Sequence, residues 1–167
     1  MKRYGMICLL CLAFCLLAAC GAEKQPAAQT TAAPAETTMK IVNPLEEVPD
    51  AAAFAERLGF PLEAPGNAKD PIFHVLSGKA AQIDFLVGEA EYMLRAQKAA
   101  AGIDNLSGLH GEAKVTKQLD GGAVLETVDL GGRTALRLSW TDGDLQKVLV
   151  TDSGDATALQ AVYESIK

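Results

Sequence analysis

Apolar and polar positions divide this chain into three stretches with different patterns. Residues 6–19 form an almost unbroken apolar run. Residues 21–40 are mainly Ala, Thr, Pro and charged residues, and they contain no apolar stripe. From Ile41 onward, short apolar alternations are separated by Gly, Asp and Asn, which is typical of strands and turns. We therefore predict three regions: a leader at 1–19, a tether at 20–40 and a single domain at 41–167.

The apolar run of the leader is too short to span a membrane comfortably. Lys2 and Arg3 precede it, and its 14 residues would form a helix about 21 Å long. Spanning the hydrocarbon core of a bilayer takes about 20 residues. A basic start, a short apolar run and small residues before a cleavage point are typical of a secretory signal peptide. We expect the leader to be removed on export.

The end of the leader carries a family motif. Leu17-Ala18-Ala19-Cys20-Gly21 resembles the lipobox of bacterial lipoproteins. The resemblance implies cleavage between Ala19 and Cys20, a diacylglyceryl thioether on Cys20 and often a third acyl chain, such as palmitate, on the new amino terminus. Two acyl chains hold a protein on a bilayer, whereas one binds reversibly. The implied location is the cell membrane, with the domain on its extracytoplasmic side.

The remaining cysteines all belong to the leader. Cys8, Cys11 and Cys15 lie in its apolar run, and no cysteine follows Cys20. The chain past Cys20 therefore has neither a disulfide nor a cysteine zinc site. The spacing of Cys8 and Cys11 also occurs in redox and metal motifs, but within an apolar signal these thiols act as small apolar groups.

The tether and the charge of the chain describe how the domain is presented. Residues 21–40 cannot bury enough apolar surface to offset their ordering entropy, so we predict that the tether is a flexible linker. It would reach about 70 Å when stretched and about 25 Å as a coil. Loss of Lys2 and Arg3 would change the net charge from −6 to −8, which anionic lipid repels. This charge and the nine aromatic residues also argue against nucleic-acid binding.

The domain has the pattern of an α+β fold. A short helix is predicted from an N-cap at Asp50 to Gly59, and a second helix from about Asp155 to Ile166, capped by Asp155 or Ser153. Between them lie strands with tight Asp-Gly and Gly-Gly turns. The predicted strands are Ile72–Leu76, Gln82–Val87, Glu91–Gln97, Glu112–Leu119, Val124–Leu130, Thr134–Trp140 and Leu145–Thr151. We predict one antiparallel meander with both helices packed on one face.

The order of these elements is similar to that of a domain of unknown function. The similar positions are Asn43-Pro44-Leu45, Ala52 to Phe60, Trp140-Thr141-Asp142-Gly143 and the closing Ser165-Ile166-Lys167. That family occurs in lipoproteins and in extracytoplasmic regulator tails of Gram-positive bacteria. The resemblance implies the same fold and the same compartment, and it implies no catalytic residues.

Candidates for catalysis are few and weak. Ser77, His74 and Asp84 include the residue types of a hydrolase triad, but no serine lies in a nucleophile motif. His110-Gly111-Glu112 has the spacing of a zinc deaminase signature without its cysteine pair. We interpret His74 as a strand residue on the less buried face of the sheet.

Acidic residues near turns complete the search. Asp142 with Asp144, and Asp152 with Asp155, do not match a calcium loop, and we interpret them as turn and capping residues. Asp104 and Glu112 could form the carboxylate pair of a glycosidase. Glycosidases usually stack sugars on aromatic side chains, however, and this chain has few of them. We predict no catalytic residues, metal or cofactor.

Three functions remain. We favour a non-enzymatic binding module of the cell envelope, with an unknown protein or envelope ligand as its partner. The alternatives are an envelope-stress or regulatory sensor that acts through a partner protein, and a carboxylate-based hydrolase.

Overall fold

The computed structural model describes residues 44–167, which form one antiparallel sheet of eight strands with two α-helices. An α+β domain with an antiparallel sheet and a C-terminal helix is therefore confirmed. In chain order the elements are β1 Leu45–Val48, α1 Ala52–Leu58, β2 Lys69–Leu76, β3 Ala80–Val87, β4 Ala90–Lys98, β5 Glu112–Gln118, β6 Val124–Asp129, β7 Thr134–Asp142, β8 Leu145–Thr151 and α2 Ala156–Glu164.

The prediction of one unbroken meander is wrong. The strand order is β1-β2-β3-β4-β8-β7-β6-β5, so two four-stranded meanders meet where β4 pairs with β8. The chain leaves β4 at the centre of the sheet and enters β5 at its far edge. Residues 99–111, which we call the crossover segment, make this connection and contain only a single 3₁₀ turn at Ala99–Ala101.

The composition of β8 explains why it lies at the centre. Val148, Leu149 and Val150 are consecutive and all buried. Successive side chains of a strand point to opposite faces, so an uninterrupted apolar run requires cover on both faces. At the centre of the sheet, Leu149 packs into the main core on one face, while Val148 and Val150 lie near residues of the crossover segment on the other face.

One face of the sheet carries the main core, and we call it the covered face. Its central cross-strand row joins Phe73, Ile83, Leu94, Leu149, Leu138 and Leu125. The last five are at most 2% exposed. Their burial removes apolar side chains from water, and burial of this kind is the main favourable contribution to folding.

Each helix contacts the covered face through an aromatic pair. Phe54 of α1 lies against Phe73 with ring centroids 6.0 Å apart, and Tyr163 of α2 packs edge-on against Trp140 at 5.1 Å. The Asp50 carboxylate accepts hydrogen bonds from the amides of Ala52 and Ala53 at the start of α1. These contacts position the two helices over the apolar row.

The strand boundaries agree with the predicted ones to within a few residues, with one strand missed. Leu45–Val48 forms an edge strand beside β2. It was missed because a strand of four residues with one buried side chain carries almost no alternation. Phe60 and Leu62 are buried in a segment without regular structure.

The cap of α2 gives a stability prediction. The Asp155 carboxylate accepts hydrogen bonds from the amides of Thr157 and Ala158 at 2.9 and 3.0 Å, so Asp155, rather than Ser153, is the N-cap. Asp155→Ala should lower the free energy of unfolding by about 1 kcal/mol in urea denaturation. Asp144→Ala, at an exposed turn, is the matched control and should stay within about 0.5 kcal/mol of the wild type. Equal losses in the two variants would contradict the capping role.

Candidate functional site

The opposite face of the sheet faces away from both helices, and we call it the helix-free face. Register defines one row across it, which consists of Ile72, Asp84, Met93, Val150, Arg137, Glu126 and Val115. Within residues 44–167, Ile72 and Val115 are the two large apolar side chains classed as exposed, at 48% and 57%. Both lie on this face, at opposite ends of the same row.

The crossover segment lies across part of the helix-free face and is held there by side chains of the sheet. Arg95 Nη1 donates to the Leu106 carbonyl at 3.0 Å, and Gln97 Nε2 donates to the Ile103 carbonyl at 3.0 Å. The Ser107 hydroxyl accepts from Arg137 Nη1 at 3.3 Å. Because these donors come from β4 and β7, they fix the segment over the middle of the sheet and leave one end of the face open.

A groove of about 540 Å³ occupies that open end. Its floor includes Ile72, Met93 and Val150 from the central row, and Leu109 of the crossover segment lines it as well. This size lies within the range of ligand pockets, and an apolar floor is their usual lining. We call this cavity the acidic groove, for the charges described next.

Carboxylates outnumber cations along the groove. Asp70, Asp84, Glu91 and Asp152 line it together with a single basic residue, Arg133. Within residues 44–167, no ion pair engages Asp70, Glu91 or Asp152, and all three are exposed. The groove therefore combines an apolar floor with net negative charge at its rim.

A bulge in β2 places Asp70 at the groove. The register shifts between Lys69 and Ile72, so that Asp70 and Pro71 together oppose one residue of β3. Asp70 has a φ of +48°, a left-handed conformation that Asp adopts more readily than most residues. Pro71 has no amide hydrogen to donate and is tolerated at such an irregularity.

A chain of polar side chains connects the groove to the crossover segment. Gln82 Nε2 donates to Asp84 Oδ2 at 2.6 Å, and Gln82 Oε1 accepts from Arg95 Nε at 2.7 Å. Burial lowers the pKa of Arg95, and the nearby charge of Asp84 acts in the opposite direction. Since Arg95 also holds Leu106, one end of this chain lies on the groove and the other supports the crossover segment.

The structure brings together two members of the predicted Ser77, His74 and Asp84 triple. His74 lies on the helix-free face of β2, and its Nδ1 is 3.3 Å from Asp84 Oδ2, out of hydrogen-bonding alignment. Ser77 lies in the β2–β3 turn, where its amide donates to the Pro44 carbonyl. In the described part of the chain no hydrogen bond joins Ser77 to His74, so a base-activated serine is not assembled.

Of the other acidic candidates, some form an ion pair or cap a helix, and the rest are exposed. Asp142 forms an ion pair with Lys147 at 2.6 Å beside its turn, and Asp155 caps α2. Asp104 in the crossover segment and Glu112 at the start of β5 are both exposed, as is His110. Over residues 44–167, no group of three or more His, Asp or Glu side chains could hold a metal ion.

The predicted lipidation and cleavage residues, Cys20 and Ala19, lie outside the described residues. None of the helices in the described part of the chain is both long and apolar enough to cross a membrane.

Sequence analysis did not identify the acidic groove. Its members come from β2, β3, β4, β7 and β8 and from three connections, and the strand register together with the path of the crossover segment brings them together. The available signal was the Asp70-Pro71 pair inside an otherwise apolar strand, because proline within a strand indicates a bulge or an edge.

Comparison of the chain with models of protein families, with curated proteins and with solved structures gives no match.

Proposed function

We propose that this protein is a membrane-anchored extracytoplasmic lipoprotein that acts as a non-enzymatic binding module of the cell envelope. In this proposal Cys20 carries the lipid and the domain binds its ligand in the acidic groove. The ligand is an apolar group that carries positive charge.

The acidic groove is the observation that carries the binding proposal. Its floor exposes Ile72 on a sheet face that neither α1 nor α2 covers, and three rim carboxylates form no ion pair within residues 44–167. An apolar floor rewards burial of apolar atoms, and unpaired carboxylates attract a cation. In this proposal the two helices cover only the covered face, and the helix-free face is left to bind the ligand.

The hydrolase alternative has less support from the groove. Catalytic carboxylates and bases are held by neighbours that perturb their protonation. The rim carboxylates Asp70, Glu91 and Asp152 are exposed and form no ion pair within residues 44–167 that would hold them in place. Burial raises the pKa of Tyr92, which also lines the groove, and the negative charge of Asp155 adds to the effect. Tyr92 packs against Phe85, with ring centroids 5.7 Å apart.

The anchor is tested by comparing two cysteine variants. Cys20→Ala should abolish incorporation of labelled palmitate, and the protein should accumulate as precursor or appear in the medium. Cys15→Ala is the matched control, because it removes a thiol from the apolar run of the leader and should keep full labelling. Labelling that persists in Cys20→Ala would overturn the lipoprotein proposal.

A further inference from the structure

We propose that the acidic groove binds a short cationic amphipathic segment of a second protein, whose Lys or Arg side chains pair with Asp70, Glu91 and Asp152. This inference rests on the proposed function, since it names the kind of partner that the groove takes. Its apolar side chains would rest on Ile72, Met93 and Val150.

The charges of the groove favour a cation over a neutral or anionic partner. The carboxylates of Asp70, Glu91 and Asp152 are exposed and free of ion pairs within residues 44–167, whereas Asp84 already accepts a hydrogen bond from Gln82. Arg133 is the single basic residue of the lining. An anionic ligand would meet this excess of negative charge at close range, and repulsion of that kind suppresses the wrong partner.

The positions of the three carboxylates favour an elongated partner over a compact ion. Asp70 and Glu91 lie at the start of β2 and β4, and Asp152 directly follows β8, so all three are at the same end of the sheet. Neighbouring strands are about 4.8 Å apart, and three such steps from β2 to β8 span roughly 14 Å. An extended chain covers that distance in about four residues. A segment laid across the strands can therefore reach all three carboxylates.

The floor of the groove suits apolar side chains of varied shape. Ile72 is half exposed, and Met93 is partly buried in the middle of the row. Methionine is unbranched and polarisable, so it adapts to irregular apolar partners. The floor contributes affinity by burial, while the rim contributes orientation and rate of association.

The test uses the full-length acylated protein in nanodiscs of zwitterionic phosphatidylcholine, with empty nanodiscs as the blank. The probe is a fluorescent octapeptide of alternating lysine and leucine, read by anisotropy. Two further peptides separate the two features: alternating glutamate and leucine keeps the apolar side chains, and alternating lysine and serine keeps the charge.

Two triple variants with the same change in net charge locate the binding site. Asp70→Asn/Glu91→Gln/Asp152→Asn alters the rim of the groove. Glu56→Gln/Glu63→Gln/Asp144→Asn alters three exposed carboxylates that do not line it. Exposed ion pairs are weak, so loss of all three should make the rim variant bind the lysine–leucine peptide about tenfold more weakly, which corresponds to about 1.4 kcal/mol in total. The control variant should stay within about twofold of the wild type, and added salt should weaken wild-type binding.

The outcomes separate this inference from the proposed function. Equal losses in the two triple variants would show a general charge effect and overturn the inference. Equal binding of the glutamate–leucine peptide would overturn the cationic partner but leave an apolar binding module. The inference would also be overturned if the lysine–leucine peptide bound the protein no more strongly than the lysine–serine peptide does, or bound protein-loaded nanodiscs no more strongly than empty ones. Neither result would affect palmitate labelling of Cys20, which tests the lipoprotein proposal separately.

Discussion

Replacement of Gly111 by Ala is expected to lower the free energy of unfolding by about 3 kcal/mol. A methyl group on Gly111 would lie 1.9 Å from the carbonyl oxygen of Asp129. An ordinary van der Waals contact between a methyl carbon and an oxygen atom is close to twice that distance. The oxygen belongs to the backbone, so it cannot move aside as the end of a flexible side chain could. The chain can accept the methyl group only by moving the end of the crossover segment away from β6.

Gly66 provides the matched control for this substitution. No heavy atom lies within 4 Å of the position that a methyl group on Gly66 would occupy. Gly66→Ala should therefore change the free energy of unfolding by no more than about 0.5 kcal/mol, with either sign. Urea denaturation of the two variants measures the difference. If both unfold at the same urea concentration as the wild type, the close approach between the crossover segment and β6 is wrong.

Replacement of Leu138 by Ala is expected to cost about 3 kcal/mol, within a range of about 2–5 kcal/mol for buried leucines. Leu138 is fully buried on the covered face, between Leu149 and Leu125 of the central row. The substitution removes apolar contacts and leaves a cavity that the rigid sheet cannot close. This loss is a large fraction of the total stability of a typical domain.

Val115→Ala is the control, because it shortens an apolar side chain at an exposed site. Val115 lies on the edge strand β5 and is 57% exposed, so its truncation should cost no more than about 0.5 kcal/mol. The two variants are compared by urea denaturation at equal protein concentration. A loss below about 1 kcal/mol for Leu138→Ala would contradict the placement of the core on the covered face.

Alternation of apolar residues predicted most of the sheet because each strand is half-buried. β3 is a clear case, since Ile83 and Phe85 point into the core and Asp84 lies between them on the helix-free face. Turn residues then fixed the ends of the hairpins, which depend on local backbone preferences. The N-cap of α2 was predictable for the same reason, because Asp155 bonds to amides only two and three residues away.

The order of the strands depended on information that the strand-by-strand pattern does not carry. Hairpins join neighbours in sequence, but the crossover segment joins β4 to a strand four positions away in the sheet. The consecutive buried residues Val148, Leu149 and Val150 were the signal for a central β8. That signal indicates cover on both faces without naming the neighbouring strand.

The acidic groove was beyond prediction because it depends on register and on a long connection. Asp84 and Met93 become neighbours only through the pairing of β3 with β4, and Leu109 joins them through the path of the crossover segment. That path is held by the partly buried guanidinium group of Arg95 and the buried amide group of Gln97, which donate to carbonyl groups of the crossover segment. In the sequence these residues have the appearance of ordinary polar positions in a strand.

The most direct measurement of the central claim is a methyl-resolved NMR titration of the full-length protein in nanodiscs with the lysine–leucine octapeptide. The account predicts that the methyl signals of Ile72, Met93 and Val150 shift. The methyl signals of Leu138 on the covered face and of Leu159 in α2 should stay in place. Shifts confined to Leu138 and Leu159, or no shift at Ile72 at peptide concentrations that saturate the anisotropy signal, would contradict the claim that the helix-free face binds the ligand.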